Sequence, residues 1–250
     1  MMHKMKTLMT LILVSFFAVH VAAQTAKKPV QKTAVKKTVA KTPGTVKTTK
    51  PVMLPGVRVK LTTDSGVIVL RLYDETPAHR DNFIKLANEH FFDSLLFHRV
   101  MNAFMIQGGD PQSKNAQPGQ MLGSGDIGYT IPADFNPALY HKKGALAAAR
   151  MPDQVNPEKA SSGCQFYIVQ GKKWSDADLN NMDSQRPVKY TAEQRNTYKT
   201  IGGYPPLDMN YTVFGEVESG LDVVDKIASV PTAPGNRPIG DVRMYIEVIK

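Results

Sequence analysis

The stretch FHRVMNAFMIQGGD, residues 97–110, is the most informative part of this 250-residue chain. Its two apolar halves predict two short consecutive strands. Because successive side chains of a strand point to opposite faces, Arg99 and Met101 share one face. By the same alternation, Met105 and Gln107 share a face of the next strand. These residues alone leave two interpretations open: a ligand-binding face, or a barrel strand with one exposed arginine.

The surrounding sequence predicts many short strands and two core helices. Residues 57–62 and 67–72 alternate apolar and polar side chains about a turn, which indicates a β-hairpin. Thr76 and Pro77 predict the start of a helix that reaches about residue 90, and a second helix is predicted at 220–229. The other predicted strands are 95–100, 104–107, 127–131, 144–149, 165–170, 211–217 and 244–249. This pattern favours a mainly β fold, either a closed barrel or a sandwich.

Residues 171–206 interrupt this pattern with a polar stretch that predicts a helical insertion. Ser175 is followed three residues later by Asp178, and Thr191 by Gln194, which are two signals for the start of a helix. The insertion connects two predicted strands. We weigh two roles for it: a flap beside the functional site, or a peripheral addition.

The net charge of +9 is confined to the N-terminal part of the chain. Residues 1–56 hold ten of the 31 basic residues and no acidic one. The remainder therefore has 21 basic and 22 acidic residues, and a nearly neutral domain argues against a surface built to bind nucleic acid. No nucleic-acid partner is expected.

The first 23 residues have the pattern of a secretory signal peptide. Lys4 and Lys6 precede the apolar run 8–19, and small residues end at Ala23. We expect cleavage near Ala23 and a periplasmic or secreted protein, with a retained membrane anchor as the alternative. Residues 24–56 are rich in Lys, Thr and Pro, and predict a disordered linker. The linker is either a plain spacer or makes weak contact with anionic envelope polymers or lipid.

No motif for a metal, cofactor or activated nucleophile stands out. Residues 123–128 fit G-x-G-x-x-G, but Pro132 lies where a dinucleotide site needs a helix, so they predict a glycine-rich surface loop. The histidines lack metal-ligand spacing. Neither a metal nor a cofactor is therefore expected.

Three later runs decide the interpretation of residues 97–110. They are GALAAA at 144–149, SGCQFYI at 162–168 and LDMNYTVFGEV at 207–217. In this order and spacing, the chain resembles the cyclophilin-type peptidyl-prolyl cis-trans isomerases over about residues 57–250, apart from the insertion and a longer loop at 150–162. The resemblance implies a closed eight-stranded antiparallel β-barrel capped by two helices, with the active site in a groove on its outer face.

The resemblance also implies a role for individual residues. It implies Arg99 as the catalytic residue, with Gln107 beside it to hold the substrate main chain. The proline pocket implied by the family is Phe104, Met105, Tyr167 and Leu207. The further substrate-binding positions are His98, Ala149, Arg150, Gln165 and Tyr211. Each is matched to the family pattern at its own position in this chain.

Three positions depart from the common pattern. Tyr167 replaces a phenylalanine found in many members, and its hydroxyl needs a partner. Pro206 stands where many eukaryotic members have tryptophan, and Tyr211 where they have histidine. We expect weak binding of cyclosporin-type inhibitors and intact catalysis.

The expected function is isomerisation of X–Pro bonds to assist the folding of exported proteins. The substrates would be unfolded or extended proline-containing polypeptides, and a monomer is expected. The alternative is a non-catalytic proline-peptide binding module of the cell envelope.

Overall fold

A computed structural model describes residues 56–249 of the chain. The predicted signal peptide 1–23 and the predicted linker up to residue 55 lie outside the described residues. The strands are β1 Arg58–Thr63, β2 Gly66–Leu72, β3 Leu95–Met101, β4 Met105–Gly108, β5 Thr130–Ile131, β6 Ala145–Ala148, β7 Ser161–Ser162, β8 Phe166–Val169, β9 Val213–Ser219 and β10 Arg243–Ile249. The helices are α1 Pro77–Asn88, α2 Asp176–Ser184, α3 Ala192–Thr200 and α4 Leu221–Ala228. None of these four helices is long and apolar enough to cross a membrane.

Eight strands close into an antiparallel barrel in the order β1-β10-β3-β4-β8-β6-β9-β2. The two remaining strands, β5 and β7, pair with each other in a separate small sheet. The prediction of a closed eight-stranded barrel is confirmed, and the sandwich alternative is wrong.

Hairpin β1–β2 follows the alternation of its sequence. Val59 and Leu61 are fully buried, whereas Arg58, Lys60 and Thr62, which alternate with them, are partly exposed. Gly66 opens β2 with φ +137°, and a Cβ at this position would lie 2.8 Å from Val223 Cγ2. The turn therefore requires glycine, because both its conformation and its surroundings exclude a side chain.

The barrel core combines inward strand residues with one face of α1 and one of α4. Phe83 on α1 packs against Phe92 and Phe166, with ring centroids 4.9 and 5.3 Å away. Val224 and Ile227 on α4 are fully buried in the same cluster. These two helices cover the core of the barrel, as predicted.

Helix α1 begins where predicted but lacks the predicted side-chain cap. Thr76 is the N-cap residue and Pro77 follows it. The Thr76 backbone, at φ −125° and ψ 63°, is not in the extended conformation that aims a capping side chain at the first turn. Its buried Oγ1 has no hydrogen-bond partner among residues 56–249.

The helical insertion lies between β8 and β9 and has its own small core. Both predicted helix starts form complete capping boxes, at Ser175 and Thr191. Leu179 of α2 and Tyr198 of α3 are fully buried in a separate apolar cluster. Arg195 joins the two helices because its Nη1 donates to Asp183 Oδ2 at 2.8 Å.

The strand predicted at 127–131 is reduced to the two residues of β5. Gly128 adopts φ +83°, a left-handed conformation that cannot continue a strand. The prediction of a longer strand was wrong because the apolar pattern carries no sign of this backbone conformation.

Candidate active site

Three predicted site residues are direct cross-strand neighbours on the barrel. Arg99 on β3 pairs with Gln107 on β4, and Gln107 pairs with Tyr167 on β8. One sequence neighbour of each of these residues is buried in the core: Val100 beside Arg99, Ile106 beside Gln107 and Ile168 beside Tyr167. Because alternate side chains point to opposite faces, the row of site residues lies on the outside of the barrel.

A β-bulge places His98 beside Arg99. Phe97 pairs with Gly108 and Arg99 pairs with Gln107, so β3 contains one extra residue, His98. Phe97 enters the core, whereas His98 and Arg99 both line the outer groove. Simple alternation would put neighbouring residues on opposite faces, and the bulge changes this locally.

A groove of about 630 Å³ covers this part of the barrel surface. Ten of the eleven predicted site residues line it: His98, Arg99, Phe104, Met105, Gln107, Ala149, Arg150, Tyr167, Leu207 and Tyr211. The eleventh, Gln165, is buried and contacts the site from behind. None of the groove-lining residues belongs to the insertion 171–206.

A chain of hydrogen bonds holds the Arg99 guanidinium. Arg99 Nη1 donates to Gln107 Oε1 at 3.2 Å, and its Nη2 donates to Met101 Sδ at 3.2 Å. Gln107 Nε2 in turn donates to Gln165 Oε1 at 3.1 Å. The guanidinium carbon lies 5.8 Å from the centre of the Phe104 ring. Arg99 is thereby fixed between a polar partner and an aromatic wall.

The glycine-rich loop forms one side of the groove. Gln165 Nε2 donates to the carbonyl oxygens of Gly123 and Gly125, at 3.0 and 2.7 Å. The Asp110 carboxylate accepts the Gly123 N–H, and a Cβ on Gly125 would lie 2.1 Å from Asp110 Oδ1. The loop prediction is confirmed, but sequence reasoning missed its place in the groove. The only available signal was the glycine spacing, which indicates close backbone approach.

The apolar side of the groove is built on two aromatic rings. Phe104 follows Ala103, whose φ of +60° turns the chain from β3 into β4. Behind Phe104 lies Tyr204, with ring centroids 4.2 Å apart. Met105 and Tyr167, both at least 95 % buried, complete this side with Leu207. Sequence reasoning did not identify Tyr204, which lies in the insertion.

Arg150 and Tyr211 form the opposite end of the groove. The Arg150 guanidinium carbon is 4.5 Å from the centre of the Tyr211 ring, and its Nε donates to Asn210 O at 2.8 Å. The Ala149 N–H donates to Gln165 O at 3.0 Å and so is not free for a substrate. The Arg150 main chain has no hydrogen bond to any other described residue, which leaves it available.

Burial controls the ionisation of His98. Its side chain is 3 % exposed, and burial lowers its pKa to about 4, with a smaller lowering by Arg99 and an opposing effect of Asp110. A backbone contact with Leu96 opposes this lowering but does not outweigh burial. His98 is therefore neutral near pH 7, and it lines the groove as an uncharged ring.

The groove offers hydrogen-bond donors and apolar surface. Its charged lining residues are Arg99, Asp126, Arg150 and Arg237. Among residues 56–249, no three His, Cys, Asp or Glu side chains cluster in a way that could hold a metal ion. The arrangement can bind an extended chain and direct an arginine N–H at one of its atoms.

Comparisons with known proteins agree with this geometry. Residues 58–248 match the family described as cyclophilin type peptidyl-prolyl cis-trans isomerase/CLD. A Staphylococcus haemolyticus protein named as a peptidyl-prolyl cis-trans isomerase is 30% identical over 74% of this chain and 87% of its own length. A Streptococcus pyogenes protein named as a bifunctional phosphatase/peptidyl-prolyl cis-trans isomerase is 35% identical over 78% of this chain, which spans only 38% of that longer protein.

A solved structure shares the fold. The cyclophilin type peptidyl-prolyl cis-trans isomerase of Cryptosporidium parvum superimposes with a TM-score of 0.58 at 20% identity, covering 78% of this chain and 98% of that one. The predicted family, fold and enzyme class are confirmed. The chain belongs to the cyclophilin-type peptidyl-prolyl cis-trans isomerases.

Proposed function

We propose that the groove catalyses rotation about X–Pro bonds of unfolded or extended polypeptides, with Arg99 as the catalytic hydrogen-bond donor. The observation that carries this proposal is the placement of Arg99. Its guanidinium is held by Gln107 and Met101 beside the Phe104 ring. These two contacts leave its other N–H groups without a partner among residues 56–249.

The reaction requires the loss of amide resonance. Rotation about an X–Pro bond is slow because the barrier is about 18–20 kcal/mol. In the twisted transition state the imide nitrogen regains its lone pair and becomes a better hydrogen-bond acceptor. A donor aimed at this nitrogen stabilises the transition state more than the planar ground state, which is the condition for catalysis. An arginine suits this role because it carries a permanent charge and several N–H donors in a fixed fork.

The groove can hold the two sides of the bond differently. The apolar side, formed by Phe104, Met105, Tyr167 and Leu207, fits a pyrrolidine ring. The Arg150 main chain, which has no hydrogen bond to another described residue, can bind the backbone of the substrate residues next to the proline. The Cryptosporidium parvum enzyme was also crystallised in the presence of the dipeptide Ala-Pro, which supports a proline peptide as the ligand of this groove.

The test compares Arg99→Ala with a matched arginine variant. Arg99→Ala is expected to lower kcat/KM on an Ala-Pro tetrapeptide by about 10²-fold or more, as for removal of a preorganised donor. Arg80→Ala removes an arginine from α1, where its partners are Asp74 and Asp81, and should leave activity unchanged. Both variants should retain the circular dichroism spectrum of the parent.

The non-catalytic alternative predicts a different result. A protein that only holds proline segments would bind the tetrapeptide without accelerating its isomerisation. Equal rates for the parent and Arg99→Ala would instead show that Arg99 is not the catalytic residue. Other residues of the groove would then have to accelerate the reaction.

We further propose that the protein acts on exported polypeptides, outside the cytoplasm. The support is the sequence of residues 1–23, with Lys4 and Lys6 before an apolar run. Mass spectrometry of the protein from cell fractions should find a mature chain that begins at Gln24 in the periplasm or medium. A full-length chain in the membrane would indicate a retained anchor, and one in the cytoplasm would contradict export.

The Lys-rich segment 24–56 is proposed to give at most weak contact with anionic polymers or lipid. Its eight lysines and lack of acidic residues support this. A chain that starts at Val57 should bind anionic vesicles less than the mature protein does.

The protein is also proposed to be a monomer. Light scattering is expected to give the mass of a monomer.

A further inference from the structure

The hydroxyl of Tyr167 is bonded to a histidine that lies entirely inside the protein. His141 Nε2 is 2.9 Å from the Tyr167 hydroxyl, and the two rings are nearly parallel, with centroids 6.0 Å apart and an interplanar angle of 15°. The His141 side chain is fully buried. His141 lies outside the groove lining, so it reaches the proline pocket only through Tyr167.

Asp208 connects this histidine to the insertion. Its Oδ1 accepts the His141 Nδ1–H at 2.8 Å and the His141 backbone N–H at 2.7 Å. Its Oδ2 accepts the hydroxyl of Tyr198, on α3, at 2.6 Å. Asp208 is 4 % exposed and Tyr198 is fully buried. Four buried side chains, Tyr198, Asp208, His141 and Tyr167, thus form one hydrogen-bonded line, called the relay below.

The direction of the hydrogen bonds follows from the carboxylate. An ionised carboxylate only accepts, so Tyr198 and the His141 Nδ1–H both donate to Asp208. His141 Nε2 then pairs with the Tyr167 hydroxyl, which can either donate or accept. A phenylalanine at position 167 would leave this buried ring nitrogen without its partner, which gives a physical reason for the tyrosine.

The insertion also supports Phe104, the other aromatic ring of the proline pocket. Tyr204 packs behind Phe104 with ring centroids 4.2 Å apart and the rings tilted by 36°, and Trp174 meets Tyr204 edge-on at 6.0 Å. Trp174 Nε1 is fixed by a 2.9 Å hydrogen bond to Gly203 O. The insertion therefore supports the Phe104 ring directly, through Tyr204, and is connected to the Tyr167 ring only through Asp208 and His141. None of its residues lines the groove.

We propose that Asp208 and His141 are positioning residues that set the angle of the Tyr167 ring, and that the insertion anchors them through Tyr198. This inference rests on the proposed function, because it takes Tyr167 as part of the proline pocket. The insertion then acts as a rigid support of the pocket, which differs from both the flap and the peripheral addition considered above.

The expected signature is a change in KM without a matching change in kcat. Tyr167 contacts the proline ring in the planar and the twisted forms, so its displacement weakens both equally. Arg99 stabilises only the twisted form, so its loss is expected to lower kcat. The same Tyr167 ring meets Tyr211 edge-on at 5.9 Å, so its displacement also reaches the other end of the groove.

The experiment compares the hydroxyl of Tyr198, which is part of the relay, with the hydroxyl of Tyr140, which is not. Tyr198→Phe removes the far end of the relay and is expected to raise KM for the Ala-Pro tetrapeptide three- to tenfold, with kcat within twofold. Tyr140→Phe removes a hydroxyl bonded to Thr197 Oγ1 at 3.1 Å, outside the relay, and is the matched control. Its KM and kcat should both stay within twofold of the parent.

A double-mutant cycle separates the relay from general loosening. If Tyr198 acts through Tyr167, the effects of Tyr198→Phe and Tyr167→Phe on KM are strongly non-additive. Additive effects, or an equal effect of Tyr140→Phe, would overturn the proposal. If Tyr198→Phe does not fold, Asp208→Asn replaces it, since it keeps the shape and one carbonyl acceptor.

Calorimetric binding of the tetrapeptide distinguishes failure of this inference from failure of the proposed function. If the parent is inactive, the proposed function is wrong. The relay is then still tested by the Kd of the variants for the tetrapeptide. An active parent whose Kd and KM do not respond to Tyr198→Phe or Asp208→Asn would overturn the relay alone.

Discussion

Gln107 stands between Arg99 and the glycine-rich loop, with its Oε1 3.2 Å from Arg99 Nη1. Its Nε2 donates to Gln165, which in turn holds the carbonyl groups of Gly123 and Gly125. One amide thus connects the proposed catalytic donor to the loop that borders the groove. The position of the guanidinium depends on the loop as well as on the barrel.

Gln107→Ala is predicted to lower kcat/KM by about 10- to 100-fold. The substitution removes a hydrogen bond to a charged group, which is worth about 1.5–3 kcal/mol, and lets Arg99 leave its position. Steady-state kinetics on the Ala-Pro tetrapeptide measure the effect. Gln185→Ala, at the end of α2, is the control. A rate within twofold of the parent would show that Gln107 does not position Arg99.

Gly125→Ala is predicted to cost about 1–3 kcal/mol of unfolding free energy and to reduce activity. The new Cβ would lie 2.1 Å from Asp110 Oδ1, so the loop must move away from the carboxylate that anchors it. Gly240→Ala is the control because a Cβ there meets nothing within 4 Å. Urea denaturation of the two variants, run side by side, makes the comparison. Equal stabilities would mean that the loop accommodates a side chain.

The unfolding free energy is predicted to fall as the pH drops from about 6.5 to 4. Burial lowers the pKa of His79 and of His98 to about 4, from an ordinary value of 6.5. Between these values the unfolded chain holds more protons than the folded chain, so acid favours unfolding. Each histidine contributes roughly 3 kcal/mol to the loss at its full extent.

Urea denaturation at pH 7 and pH 4.5 measures this loss. His98→Leu should reduce the difference between the two pH values. The exposed His90 provides the control, and His90→Asn should leave the difference as in the parent. A parent whose stability is the same at both pH values would contradict the prediction.

Cyclosporin-type inhibitors are predicted to bind weakly while catalysis is intact. Pro206 replaces the tryptophan of many eukaryotic members, and it lines a second cavity and is absent from the groove lining. Titration calorimetry with cyclosporin measures the affinity. Tight binding by this chain would show that the tryptophan position is dispensable.

The sequence predicted well those features that are specified locally. The hairpin β1–β2 follows from alternation over a few residues, and the helix starts at Ser175 and Thr191 follow from their capping boxes. The groove residues followed from a resemblance carried by runs that lie far apart in the chain. Ten of them do line one groove, although their individual roles remain predictions.

Other features depend on contacts that no local pattern records. The bulge at His98 arises from the register of β3 against β4, which only the paired strands define. The partner of the Tyr167 hydroxyl is His141, 26 residues earlier in the chain, and its anchor Asp208 lies 67 residues after His141. A sequence shows that such polar groups need partners when buried, but it does not name the partners.

The closed barrel has a consequence for the proposed action on unfolded or extended chains. An exposed strand edge offers unpaired backbone groups to which an extended polypeptide can add as a further strand. Every barrel strand of this domain has a neighbour on both sides, so the barrel offers no such template. An extended client therefore cannot join the barrel as a further strand. The closed barrel thus gives an aggregation-prone client no strand edge on which a sheet could grow.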